Sequence, residues 1–283
     1  MLIEILRSTA IVAGVGLVFG ILITIAHMKL KVWEDPRIDA VADMLPGSNC
    51  GACGQAGCRA FAEALIAGKV SPATCSVMGP EDVEDVAALL GVDAGEAQKR
   101  VARLLCAGGT DVAIQQAQYR GLETCKAAAA VAGGGKGCPW GCLGLNDCGE
   151  ACGFDAIVLN EHNIPVVLVE KCTACGDCVD ACPLDLFTIM PVEQQLIVQC
   201  KNLLAGDDAE NVCKVACNAC ARCVADAAPG LIEMVNNLPV IDYEKNELAS
   251  PEAVGRCPTG AIVWLEEGQQ FADTLELVRS AKE

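Results

Sequence analysis

The 283-residue chain has two histidines, His27 and His162, and few aromatic residues: three Trp, two Tyr and five Phe. Histidine is the usual acid–base group at neutral pH. His27 stands at the edge of an apolar run and His162 in the polar turn Asn160–Asn163. Neither reads as a catalyst, and no nucleophilic triad can be assembled. Few rings mean small hydrophobic cores, so something besides apolar area must hold the modules together. Basic charge is also scarce: 20 Lys and Arg stand against 37 Asp and Glu, a net charge of −17. That balance argues against nucleic acid as a partner, because phosphate backbones require clustered Lys and Arg. No G-x-G-x-x-G follows a strand pattern, so hydride transfer to a dinucleotide is not expected in this chain. Gly133-Gly134-Gly135-Lys136-Gly137 lacks the Ser or Thr of a phosphate loop and reads as a flexible connection.

Cysteine is abundant instead, with 20 residues. Spacing decides between a disulfide scaffold and metal sites. Cys172, Cys175, Cys178 and Cys182 fall within eleven residues. Thiols that close in sequence wrap a metal centre more readily than they pair with distant partners. Bound clusters would replace the missing apolar core. Acidic surroundings would lower their potentials, as suits a low-potential carrier.

Residues 8–27 form an apolar run, uncharged from Thr9 to Ala26, long enough to cross a bilayer. Glu4 and Arg7 cancel in the segment before it, and the sequence after it is a poor cleavage site, so an uncleaved anchor is expected. Lys29 and Lys31 favour an outside N-terminus, with the cysteine-rich part in the reducing cytoplasm. Gly16 and Gly20 suit close packing against other membrane helices.

Four ligand sets follow from the spacing. The first is Cys50, Cys53, Cys58 and Cys75, with glycines between the ligands; a zinc knuckle is the alternative. The run Cys172-x2-Cys175-x2-Cys178-x3-Cys182-Pro183 matches the bacterial two-cluster ferredoxin pattern, in which the fourth cysteine ligates the other cluster. Crossing the ligands gives Cys138, Cys142, Cys148 and Cys182 for one [4Fe–4S] cluster and Cys172, Cys175, Cys178 and Cys152 for another. The third region begins Cys217-x2-Cys220-x2-Cys223, but Ala227 stands at the fourth position and Asn246 where the second copy should start. Cys217, Cys220, Cys223 and Cys257 remain as one complete set, and every lost position belonged to the other. Four [4Fe–4S] clusters are therefore expected. Cys106, Cys125, Cys200 and Cys213 are left over; they could hold a fifth metal centre, but their spacing is loose and buried structural thiols are the favoured reading.

The fold class expected is α+β. The segments are a transmembrane anchor (1–30), a small helical [4Fe–4S] module (31–93), a connecting segment (94–137), a two-cluster ferredoxin-like domain (138–199), and a degenerate single-cluster ferredoxin-like domain with a polar tail (200–283). Helices are expected over 81–90 and 111–131 and in the tail from Glu266, and strands over 164–169 and 238–241. Residues 94–105 are ambiguous between helix and strand.

The motif order resembles the RnfB (RsxB) family, the iron–sulfur subunit of Rnf complexes. The resemblance rests on the single N-terminal apolar helix, Asn49-Cys50-Gly51-Ala52-Cys53-Gly54 with Gly57-Cys58, and Ala132-Gly133-Gly134 before Cys138. It continues through Cys142-Leu143-Gly144, the Cys172 run and Cys213-Lys214-Val215-x-Cys217. It implies an electron-relay subunit at the cytoplasmic membrane, with no complete active site of its own. Reduced ferredoxin would donate electrons, and membrane and flavin subunits would receive them within an ion-translocating ferredoxin:NAD oxidoreductase. The third region departs from family members that keep a full two-cluster ferredoxin there. Two other readings are an input subunit of a different membrane oxidoreductase and a protein whose clusters only staple the fold. Lys126, Lys136, Lys171, Lys201, Lys214 and Arg222 lie near cysteines in sequence and are candidates for a docking patch on this acidic chain.

Overall fold

A computed structural model describes residues 2–30, 35–96 and 98–265. Helix α1 (Leu2–Leu30) carries the apolar run, and its window Val12–Lys29 is long and apolar enough to cross a membrane, with none of it buried against the rest of the chain. A helix satisfies its own backbone, which a bilayer core demands.

The first cysteine group sits in a helical module of α2 (Arg37–Met44), α3 (Cys58–Ile66) and α4 (Pro80–Leu90). Val41, Phe61, Ala62, Leu65 and Val86 recur at helical spacing and close a small core. Pro80 starts α4 and Gly91, in the left-handed conformation, stops it. Gly57 has φ +139°, and a Cβ there would stand 2.8 Å from Asn49 Oδ1. That oxygen accepts the Cys58 N–H at 2.8 Å, so the glycine lets α3 begin directly at a cysteine.

The remainder holds four two-stranded antiparallel sheets. Strand β1 (Arg100–Leu104) resolves the ambiguous stretch and pairs with β4 (Phe187–Pro191). Between them lie α5 (Cys125–Ala130), α6 (Asp147–Glu150), the hairpin β2 (Ile157–Leu159)–β3 (Pro165–Val167), and α7 (Asp177–Ala181). Strand β5 (Leu196–Val198) pairs in turn with β8 (Ile262–Trp264). This second pair encloses α8 (Gly206–Glu210), α9 (Arg222–Asp226) and the hairpin β6 (Ile232–Val235)–β7 (Leu238–Ile241). Where the first unit has α7, the second has 3-10 turns at Tyr243–Leu248 and Pro251–Val254.

The long helix expected over 111–131 is reduced to Cys125–Ala130, capped by Thr124, whose hydroxyl accepts the Ala127 N–H at 3.2 Å. Upstream, backbone groups find partners far along the chain. Ile114 N–H donates to Val212 O at 3.0 Å and Gly137 N–H to Ile114 O at 2.8 Å. Bridges Ala113↔Cys213 and Gln115↔Lys136 complete this stitching. The tail from Glu266 lies outside the described residues.

Candidate functional site

Cys50, Cys53, Cys58 and Cys75 line one small hollow. Burial pushes the Cys75 thiol up, with Cys53 and Cys50 adding to the effect, while N–H groups of Val77 and Met78 pull it down. Ser76, next in sequence, donates its hydroxyl to Thr173 O at 2.5 Å, tying this module to the next cysteine group.

Cys152, Cys172, Cys175 and Cys178 line a second small hollow. Ala102 N–H, from β1, donates to Cys172 Sγ at 3.4 Å, and Ala156 N–H to Cys152 Sγ at 3.4 Å. Thr173 Oγ1 is buried at this hollow, beside the Cys175 thiol. Burial, reinforced by the neighbouring thiols Cys172, Cys175, Cys148 and Cys152, pushes Cys178 up to about 12.

A third small hollow is lined by Cys125, Cys142, Cys148 and Cys182. The spacing groups three of these together, but Cys138 does not line this hollow and Cys125 does. Cys125 opens α5, whose first N–H groups donate to the Asp147 carboxylate at 2.8 and 3.1 Å. Burial first, then Cys125 beside it, pushes Cys148 up to about 12. Cys138 lines a separate hollow with Cys106, Cys200 and Cys213, three residues that the spacing leaves unassigned. No local motif flags them, because strand and bridge pairing brings them together from four distant segments.

In the third region, burial and the thiols of Cys217, Cys257 and Cys220 push Cys223 up to about 11. Burial raises Cys217 too, helped by Cys257 and Cys220. The backbone repeats that of the Cys172 run. Ala174 (φ 59°) and Gly176 (φ 98°) are left-handed in one loop, and Ala219 (φ 61°) and Ala221 (φ 55°) hold the matching positions in the other. Alanine adopts that conformation at a cost of about 1–2 kcal/mol. The same left-handed loop thus stands in both runs, although Ala227 and Asn246 occupy the positions where the sequence pattern expects further cysteines.

These residues fit iron–sulfur clusters in donor type, with four thiols lining each hollow. Among the described residues no three His, Cys, Asp or Glu side chains close on a single ion position. Four thiolates on one zinc would lie about 3.8 Å apart, given Zn–S bonds near 2.3 Å. A four-iron cube holds its thiolates further apart, around a hollow. In the metal-free chain the raised thiols are protonated at neutral pH, so ligation must displace their protons.

Of the cations near cysteines, Lys136 donates Nζ to Gly108 O at 2.6 Å and to Cys142 O, and Lys201 donates to Asp185 O. Both are half-buried and engaged, whereas Lys126, Lys171, Lys214 and Arg222 are exposed.

Residues 45–77 match a family model described as a putative Fe-S cluster, and residues 165–188 one described as a 4Fe-4S binding domain. The chain is 42% identical over 277 residues to the B component of the Na(+)-translocating ferredoxin:NAD(+) oxidoreductase complex of Acetobacterium woodii, covering 98% of this chain and 83% of that one. It is 38% identical to the B component of the ion-translocating oxidoreductase complex of Methanosarcina acetivorans, covering 91% of this chain and 97% of the relative. It is 33% identical to the B component of the proton-translocating ferredoxin:NAD(+) oxidoreductase complex of Clostridium ljungdahlii, covering 90% of each. With likeness of that extent along nearly its whole length, the chain belongs to the RnfB family of the Rnf ion-translocating oxidoreductase complexes.

Proposed function

We propose that this iron–sulfur subunit of an Rnf complex takes single electrons from reduced ferredoxin and relays them toward membrane and flavin subunits. The carrying observation is the series of hollows lined by four thiols each, joined by short contacts. When bound, a [4Fe–4S] cluster supplies a one-electron centre and forms no bond to substrate. The chain's own residues set the rest. Cys50, Cys53, Cys58 and Cys75 hold one cluster, and Cys152, Cys172, Cys175 and Cys178 another. Cys142, Cys148 and Cys182 supply three ligands to a further one. Cys217, Cys220, Cys223 and Cys257 hold a single cluster in the third region, supported by its retained left-handed loop.

The two strand-enclosed units, β1 to β4 and β5 to β8, support ferredoxin-like modules in tandem, one with two clusters and one with a single cluster in its own core. Helix α1 anchors them, with the N-terminus outside and the clusters in the cytoplasm, where reduced ferredoxin is available. The coupling of electron flow to ion movement belongs to the whole complex.

The test is anaerobic mixing of the purified chain with reduced ferredoxin, followed by visible absorption and electron paramagnetic resonance. Bleaching together with new reduced-cluster signals is expected. Clusters that stay oxidised, in protein shown to carry iron and sulfide, would reduce them to structural staples.

A further inference from the structure

We infer that Cys106, Cys138, Cys200 and Cys213 bind a fifth [4Fe–4S] cluster, and that Cys125 replaces Cys138 as the fourth ligand beside Cys142, Cys148 and Cys182. All 20 cysteines are then used. The inference rests on the iron–sulfur reading above and extends it to thiols that spacing leaves idle.

Geometry carries it. The four side chains line one small hollow, just as Cys50, Cys53, Cys58 and Cys75 line another and Cys152, Cys172, Cys175 and Cys178 a third. Each thiol arrives by a specific pairing. Cys106 follows β1 and Cys200 follows β5, and the two ends are joined by Ala107 N–H donating to Gln199 O at 3.1 Å. Cys213 is bridged to Ala113, and Cys138 comes just after the Lys136 bridge to Gln115. Gly108 marks the closeness of the thiols, since a Cβ there would stand 3.1 Å from Cys213 Sγ and 3.7 Å from Cys106 Sγ.

The lining suits a cluster independently of the thiols. Gln199 and Asn202 face this hollow and are each only 1% exposed. Both polar atoms of the Gln199 amide and the Asn202 Nδ2 lack a protein partner. Buried amides left unpaired are uncommon and call for a ligand; N–H donors toward cluster sulfur fill that role. Backbone N–H groups of Asn202 and Cys217 already donate to Cys200 Sγ at 3.4 and 3.3 Å. Lys136, which also lines the hollow, places an ammonium beside the negative charge that four thiolates bring.

The position gives the site its role. Cys142 N–H donates to Cys106 Sγ at 3.4 Å, and Cys217 N–H donates to Cys200 Sγ at 3.3 Å. Cys142 and Cys217 belong to ligand sets in different units. The fifth centre therefore bridges the two ferredoxin-like units, taking one electron from a reduced neighbour, which is oxidised, and passing it to the next.

Iron and acid-labile sulfide are measured on the full chain, reconstituted without oxygen with excess of both and then desalted. About twenty of each per chain are expected, four per cube. About sixteen would overturn the fifth cluster, as would zinc in place of the last four irons. Near zero would instead overturn the iron–sulfur reading as a whole. Cys200→Ser and Cys138→Ser should each lose about four irons and the same spectroscopic component, and the double variant should lose no more than either. Cys125→Ser should lose a different component, additive with Cys200→Ser. If Cys138→Ser and Cys200→Ser proved additive, the ligand exchange would be wrong. The wild-type count decides the number of clusters even where a variant fails to fold.

Discussion

At the scale of single residues, the left-handed alanines are the most informative feature. Ala219 and Ala221 hold a conformation that glycine adopts freely and alanine does not. In the parallel loop the second position is Gly176. Ala221→Gly should relieve strain and, after the extra chain entropy of glycine, stabilise the loaded protein by about 0.5–1 kcal/mol. Gly176→Ala should destabilise it by about 1 kcal/mol. Thermal unfolding of the two variants, without oxygen, reads both. A melting temperature lowered by Ala221→Gly would mean that the third-region loop does not keep its left-handed turn in the protein. This detail also marks what a sequence can disclose. Cys172, Cys175 and Cys178 share one loop, so their spacing alone announces the site. The conformation of Ala219 is announced only by its register with Ala174.

At the scale of elements, two kinds of site separate by how they are built. The N-terminal module is legible because one helix start and one short loop carry Cys50, Cys53 and Cys58, and Cys75 follows within the same core. Strand β7 and helix α4 are legible from local periodicity and from the stops at their ends. The hollow of Cys106, Cys138, Cys200 and Cys213 is not, because its thiols are brought together by the β1–β4 and β5–β8 pairs and by two isolated bridges. Non-local pairing leaves no fixed spacing in the chain. The same cause undoes the helix expected over 111–131: its residues suit a helix, but their backbone groups are taken by residues 135–137 and 212–214. Helix α1 stands apart, with its apolar window unburied by the rest of the chain. Removing residues 2–30 should therefore release the protein from membranes in cell fractionation while leaving iron per chain unchanged. Loss of iron along with the helix would show that α1 supports the cluster modules rather than anchoring them.

At the scale of the whole molecule, the contacts order the sites into a line. Ser76, beside Cys75, reaches Thr173 beside Cys172. Cys148 is close enough to Cys178 to raise the cost of charging it. Cys142 touches Cys106, and Cys200 touches Cys217. One end of the line is the module that follows the apolar helix. The other is the third region, where Cys220 is exposed. On the proposed function a soluble donor approaches an exposed site, which would put ferredoxin at the Cys220 end and the membrane partners at the other. The chain as a whole is acidic, at −17, so net charge does not attract an acidic donor and local cations must do so. Lys214 precedes the Cys217–Cys223 loop and Arg222 lies within it, both exposed, whereas Lys171 adjoins an inner site and Lys136 and Lys201 are engaged. Reversing Arg222 and Lys214 to Glu should slow reduction by ferredoxin about tenfold at low salt, with the difference shrinking as salt screens it. Lys171→Glu should change the rate by far less. Stopped-flow reduction at two ionic strengths distinguishes these outcomes. Equal rates for all three variants would move the docking face elsewhere, and a larger effect at Lys171 would reverse the direction of the line.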